Sequence, residues 1–243
     1  MFNLFKSKPK KTTLPLLVDI HSHLLPGLDD GVKSEDESLY ILRSLEKIGY
    51  KKVITTPHVM NEYYPNNPSK IHARLEEIRN LIRKNNLDIT LEAAAEYYLD
   101  ETLMAKLSDQ ETLLTFGNNY LLFETSFLNK PAFLEDAIFN MHTNGYQPVL
   151  AHPERYGYLH GDESLVEQLK GMNVLFQMNV LSLTGYYSSE IKRMARYLLK
   201  ENTIDLIGTD CHNAHQVEVI VKSLNTKNLK YLEGKSFLNP TLL

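Results

Sequence analysis

Seven short, nearly continuous apolar runs recur along the chain, separated by stretches of helical periodicity. They occupy residues 14–23, 51–58, 88–98, 119–126, 147–155, 173–179 and 204–212. Several lack polar alternation, which marks strands buried on both faces, as in parallel sheets covered by helices. Between them, Ser34 and Glu37 form a capping box, Leu39, Leu42, Leu45 and Ile48 follow as a buried stripe, and Gly49 ends that helix. Ile71, Leu75, Ile78 and Ile82 mark a second helix. Residues 131–145 form another, with Pro131 near its first turn and Gly145 at its end. A further helix, from about Ser188, buries Ile191, Ala195, Leu198 and Leu199. This alternation predicts an α/β fold of parallel βα units, closed into a barrel or spread as a doubly wound sheet. The segment GLDDGVKS after the first run matches neither Gly-rich phosphate loop. With no repeat, low-complexity segment or linker in sight, residues 14–243 are expected to form one domain behind a basic tail, residues 1–13.

The polar residues stand where the apolar runs stop. The first run ends in Asp19-Ile20-His21-Ser22-His23, with Asp30 soon after, and the second ends in His58. Glu96 closes the third, Glu124 the fourth, His152 the fifth with Arg155 just beyond, and Asp210-Cys211-His212 the seventh. Residues at the C-terminal ends of parallel strands converge on one face, where the active sites of such folds lie. Five histidines and four carboxylates gathered there require cations, because like charges held close together are costly. His21 and His23, two apart on an extended strand, project to the same side. Imidazole and carboxylate without thiolate suits Zn²⁺, Mn²⁺ or Fe²⁺ in a reactive rather than a structural site. Nine ligands are too many for one ion. Three dications set against four carboxylates and a bridging hydroxide leave a charge of about +1, which attracts a phosphate dianion.

Composition narrows the setting. A net charge of −4 argues against a nucleic-acid partner. The single cysteine, Cys211, excludes an internal disulfide and fits a reducing, cytoplasmic compartment. No stretch approaches the roughly 20 apolar residues that cross a bilayer, so no stable membrane insertion is expected.

The ordered series HSH, His58, Glu96, Glu124, AHPER and a closing DxH resembles the PHP superfamily. DIHSHLLPGLDDGVKSEDES, TTPH, AHPERY and DCHN are similar to its bacterial protein-tyrosine phosphatases of capsule and exopolysaccharide regulation, the CpsB/YwqE kind. The resemblance spans roughly residues 15–215. It implies a distorted (β/α)7 TIM-like barrel of the PHP type and a manganese-favouring phosphatase, with iron or zinc as other metals. The implied substrate is a phosphotyrosine protein, namely the tyrosine-rich tail of a bacterial tyrosine kinase. Carried over by motif, His21, His23, Glu96 and Asp210 hold one metal, and Glu96, Glu124 and His152 a second. Asp30, His58 and His212 hold the third, and Arg155 grips the phosphoryl group. The chain departs from the pattern after DCHN, where no arginine follows, so the grip rests on Arg155 alone or borrows His215.

Plainer roles are expected elsewhere. His72, His142 and His160 lie in helical patterns or a loop and suit packing or surface roles. Asp29 competes with Asp30 for the ligand position, with the motif favouring Asp30, and Asp19 is expected to orient a ligand from behind. Cys211 cannot serve as a phosphatase nucleophile, since that chemistry needs an arginine six residues on, where Val217 stands. Residues 59–70 form a loop beside His58 that suits a lid. Tyrosines 63, 64, 97, 98, 156, 158, 186 and 187 cluster in loops and at strand ends, where they line a pocket or pack. A PHP-type small-molecule phosphatase acting on histidinol phosphate is the alternative enzyme. An amidohydrolase is less apt, because Glu124 stands where those enzymes commonly carry a modified lysine.

Overall fold

The structure is a computed structural model and describes residues 16–224 and 226–243. The basic tail, residues 1–13, lies outside the described residues. The fold is α/β, and every strand ladder among the described residues is parallel. The strands are β1 (Val18–Asp19), β2 (Lys52–Thr55), β3 (His58–Val59), β4 (Thr90–Ala93), β5 (Glu96–Tyr98), β6 (Tyr120–Glu124), β7 (Gln147–Ala151), β8 (Leu175–Asn179) and β9 (Leu206–Gly208). The helices are α1 (Glu35–Lys47), α2 (Pro68–Lys84), α3 (Glu101–Ser108), α4 (Leu134–Thr143), α5 (Glu163–Gly171), α6 (Ser189–Lys200) and α7 (Ala214–Ser223).

Two of the predicted runs are broken. The second divides at Pro57 into β2 and β3, and the third divides beside it into β4 and β5. Pro57 has no N–H to give to a ladder, and its carbonyl accepts from Glu96 N–H at 3.1 Å, where β5 begins. The result is a sheet in the order β1-β2-β4 and another in the order β3-β5-β6-β7-β8-β9. Three links join the first run to the last. Asn239 donates to the carbonyls of Val18 (2.9 Å) and Ile207 (2.7 Å) at one end. Thr209 donates its N–H and hydroxyl to Asp19 at 2.8 and 2.6 Å. Beyond these, Asp210 N–H donates to the His21 carbonyl (2.7 Å), and His23 N–H to that of Cys211 (3.0 Å).

Strand residues alternate between two cores, as the pleat dictates. Val18, Ile54, Leu122, Val149 and Leu206 meet in an inner cluster with Phe116 and Leu242. Val53, Leu121, Phe123, Leu150, Phe176 and Ile207 face the helices in the outer one. The helix stripes behave as predicted, with Ile71, Leu75, Ile78 and Ile82 buried. In α6 the stripe shifts, with Met194 buried and Ile191 only half-buried. The helix predicted over residues 131–145 begins later, at Leu134. Ser34 caps α1 by accepting from Glu37 N–H, and the Glu37 carboxylate accepts from Lys33 and Ala214, tying the starts of α1 and α7 together.

Candidate metal centre

The nine residues singled out above all reach one face, their donor atoms forming overlapping groups within 4.8 Å. Glu96, at the start of β5 and fully buried, lies at the middle. Its Oε2 is 3.1 Å from His21 Nε2, 3.3 Å from His23 Nε2 and 3.2 Å from His58 Nδ1, while Oε1 is 3.0 Å from His152 Nε2. Asp210 Oδ1 stands 3.4 Å from His21 Nε2 and 3.3 Å from His23 Nε2, which are themselves 3.3 Å apart. Four donors bonded to one ion at about 2.0–2.1 Å in a tetrahedron lie about 3.3–3.4 Å from each other. The donors of His21, His23 and Glu96 form one such group, and Asp210 Oδ1 stands at a matching distance from both imidazoles.

The remaining ligand candidates surround this cage. His58 presents Nδ1 to Glu124 at 3.0 Å and Nε2 to Asp30 at 3.6 Å, so its ring faces two groups at once. His212 Nε2 lies 3.5 Å from Asp30 and its ring stacks on His23 at 4.0 Å. Asp30 is the acidic residue inside the cluster, as the motif favours, whereas Asp29 serves His23 from behind.

Two of the site residues leave their strands by an uncommon backbone turn. His152 has φ of 34° and Asp210 φ of 50°, left-handed values that cost a non-glycine residue roughly 1–3 kcal/mol. The predicted fifth run consequently stops at Ala151, and Pro153–Arg155 turn as a 3-10 segment that delivers Arg155 to the site.

The imidazoles are fixed by their other nitrogens. Nδ1 of His23 is 2.8 Å from Asp29 Oδ2, and Nδ1 of His21 is 2.8 Å from Gln177 Oε1. Both acceptors place the proton on Nδ1 and free the Nε2 lone pair for the cluster. Gln177 Oε1 also accepts from His152 N–H at 3.3 Å, and Gln177 Nε2 donates to Asn179 Oδ1 at 3.0 Å. Asn179 Nδ2 in turn donates to Asp210 Oδ2 at 2.6 Å. Strand β8, which supplies none of the nine, thus links His21 to Asp210 through two amides. Sequence reasoning missed Gln177 and Asn179; their one signal was two polar residues alternating inside an apolar run. Asp19 acts through the backbone: it accepts from the His21 N–H at 3.5 Å and from the N–H and hydroxyl of Thr209, the residue before Asp210, at 2.8 and 2.6 Å, and bonds no imidazole directly.

Close approach of strands makes room for Gln177. A Cβ at Gly208 would meet His21 Cβ at 2.5 Å and Gln177 Nε2 at 2.7 Å. Gly208→Ala is expected to weaken metal uptake about 10–100-fold by moving His21, and to lower the stability of the metal-free protein by about 1–3 kcal/mol through overpacking. A chelator-competition titration and a thermal melt check both; unchanged values would contradict this role for β8.

Charges hold each other in place here. Burial pushes Glu96 upward, yet the imidazoles of His21, His58 and His152 outweigh it and hold the carboxyl well below the usual range. Asp210 is likewise held low against burial by His21, His212, His23 and Arg155. Burial disfavours the His58 cation, but Glu96 and Glu124 overcome this and raise it to about 9. Burial pushes the Cys211 thiol up, and its Sγ donates to the Asn213 carbonyl, a packing role.

Above the cluster opens a cavity of about 670 Å³. Tyr64, Tyr98, Phe127 and Tyr187 line it, and Arg155 is its only lysine or arginine among the described residues. Arg155 Nη1 donates to Asp210 Oδ2 at 3.1 Å. His215 does not line the cavity, whereas Asn213 and Gln216 do. The loop before α2 contributes Met60 and Tyr64, and Asn66 fastens it by donating to the carbonyls of Leu28 and His58, each at 2.8 Å. His142 and His160 bond backbone carbonyls and His72 is exposed, as their plainer roles required.

Comparison with known proteins follows the same lines. A family model described as capsular polysaccharide synthesis, CpsB/CapC, matches residues 17–233. The chain is 26% identical over 221 residues to tyrosine-protein phosphatase YwqE of Bacillus subtilis, covering 91% of this chain and 85% of that protein. It is 26% identical over 229 residues to tyrosine-protein phosphatase CpsB of Streptococcus pneumoniae, covering 89% and 94%. Crystal structures of YwqE from Bacillus subtilis and CpsB from Streptococcus pneumoniae, described as metal-dependent tyrosine phosphatases, superpose with a TM-score of 0.74 at 23% identity, covering 90% of this chain and 96% of the other. The fold is also shared with the lactonase Lmo2620 of Listeria monocytogenes, at a TM-score of 0.54 and 11% identity over 92% of each chain.

Proposed function

The chain belongs to the CpsB/CapC family of capsular polysaccharide synthesis, and on that premise we propose that it is a metal-dependent phosphatase hydrolysing phosphotyrosine in proteins. The observation that carries this reading is the gathering of His21, His23, Glu96 and Asp210, in which each imidazole Nε2 lies 3.1–3.4 Å from both carboxylates and from the other imidazole, the spacing of donors that share one ion. The names of the relatives supply the substrate class. We read residues 14–243 as one distorted (β/α)7 barrel of the PHP type. The joined first and last runs support this.

His21, His23, Glu96 and Asp210 would hold one divalent metal, Glu96, Glu124 and His152 a second, and Asp30, His58 and His212 a third. The family resemblance favours manganese, and the nitrogen and oxygen donors are compatible with manganese, iron or zinc. When bound, such ions activate water at neutral pH and withdraw charge from phosphoryl oxygens. Arg155 would grip those oxygens through its planar fork, and Asp210 holds that fork by one nitrogen. Gln177, Asp29 and Asn179 keep the imidazoles and Asp210 aimed. Tyr64, Tyr98 and Phe127 offer ring faces to an aromatic leaving group. The partner is a phosphotyrosine protein, with a bacterial tyrosine kinase of polysaccharide synthesis as the physiological reading. No helix among the described residues is long and apolar enough to cross a membrane, and the lone Cys211 supports a cytoplasmic setting.

Relative turnover separates this substrate from the alternative. Fully metallated protein is expected to hydrolyse a phosphotyrosine peptide at least about tenfold more efficiently than histidinol phosphate, a difference of about 1.4 kcal/mol in transition-state binding. The reverse preference would transfer the protein to small-molecule metabolism.

Metal uptake carries a pH dependence. Without metal, His58 titrates at about 9 and so holds a proton at neutral pH. A ligand must be neutral to bind, so uptake at pH 7 to 8 expels that proton. Apparent affinity therefore rises as pH increases toward about 9 and falls as it drops. Calorimetry in two buffers of different ionisation enthalpy reads the release directly; uptake without proton release would contradict the arrangement around His58.

A further inference from the structure

On the phosphatase reading, the phosphoryl grip comes down to one side chain, and that side chain is itself held by aromatic rings. The Arg155 guanidinium carbon lies 4.5 Å from the centroid of Phe127 and 4.7 Å from that of Tyr187. These rings arrive from separate elements, Phe127 from the loop after β6 and Tyr187 from the segment before α6. Nη1 is committed to Asp210 Oδ2, whose other partners include Asn179. Arginine has five N–H donors on a rigid fork, so a guanidinium fixed by ring faces and by one nitrogen still has donors to spare along its edge. The side chain keeps 23% of its surface exposed at the cavity. Phe127 is 40% exposed and lines the cavity beside Arg155. Lysine could not be held in this way, because a compact ammonium lacks the planar fork.

We propose that Phe127 and Tyr187 are positioning residues for the reaction: their rings hold Arg155 flat, so that the open edge of its fork meets the phosphoryl oxygens. The inference rests on the phosphatase reading and deepens it by assigning the determinants of phosphate affinity to two residues outside the metal cage. Phe127 also lies 5.8 Å from the rings of His152 and Tyr156, so a packing role beneath the metals is the competing explanation.

The test measures KM for a phosphotyrosine peptide, inhibition by orthophosphate, and metal content in Phe127→Leu and Tyr187→Leu. Each substitution is expected to raise KM and the phosphate inhibition constant about fivefold, within the range of a partly desolvated cation–π contact. The loss should fall on KM more than on kcat, because the grip acts on bound substrate and transition state alike. Metal content should stay at the wild-type ratio, and Phe127→Tyr and Tyr187→Phe, which keep a ring face, should restore phosphate affinity. In an Arg155→Ala background, Phe127→Leu should weaken phosphate by less than about twofold, since its partner is gone. Unmoved inhibition constants in an active enzyme would overturn the stack, as would metal loss in step with activity. A metallated wild type that cannot hydrolyse phosphotyrosine would instead remove the functional reading beneath it.

Discussion

Glu96→Gln is expected to reduce turnover at least about 10³-fold and to lower the metal-to-protein ratio together with it. The carboxylate places one oxygen within 3.3 Å of His21, His23 and His58, and the other 3.0 Å from His152. No other side chain of the cluster reaches so many imidazoles. An amide keeps the shape but loses the charge, and its NH₂ donates where a donor lone pair is needed. Removing a single preorganised electrostatic contact costs about 10²–10³ in rate, and Glu96 serves more than one group of ligands. Metal analysis beside steady-state kinetics decides the matter. A Glu96→Gln protein with its full metal complement and turnover within about tenfold of wild type would contradict Glu96 as the shared centre.

Arg155→Ala is expected to lower kcat/KM about 100-fold, with most of the loss in KM. A charge-assisted hydrogen bond to a dianion contributes about 1.5–3 kcal/mol, or about 10- to 150-fold, and no second lysine or arginine lines the cavity among the described residues. Arg155→Lys should recover only a small part, since an ammonium restores charge but neither the fork nor the flat faces. Because Arg155 also touches Asp210, metal content must accompany the kinetics. Unchanged KM and phosphate inhibition in the Ala variant would mean that Arg155 is merely a structural partner of Asp210.

Metal ligation made the site legible before any coordinates. Few residue types can bind a cation, and parallel strands deliver their ends to one place, so His21, His23, Glu96, Glu124, His152 and Asp210 stood out as interruptions of apolar runs. Their geometry was less accessible. Nothing in the run ending at His152 announces a left-handed residue, and the φ of 34° there converts a predicted strand into a turn that carries Arg155 inward. Gln177 and Asn179 read as ordinary polar residues in a strand, because an amide that orients a ligand has the same composition as one that satisfies a core.

The helices divide in the same manner. Long stripes such as that of α2 were plain, whereas α3, α5 and α7 went unpredicted. Each is short, of eight to ten residues, so few turns repeat the pattern. Their caps, Asp100, Asp162 and Asn213, were the available signal. Phe127 was invisible as a functional residue for a different reason. A lone phenylalanine after a strand acquires meaning only once the fold brings Arg155 against its face.

Metal-dependent phosphotyrosine hydrolysis is tested most directly by a manganese titration of metal-stripped protein, with turnover of a phosphotyrosine peptide and bound metal measured on the same samples. The expected result is no turnover without metal and a rise that levels off at about three ions per chain, the number proposed for the nine clustered donors. Turnover that ignores the metal, or a fully metallated protein that leaves phosphotyrosine intact, would contradict it.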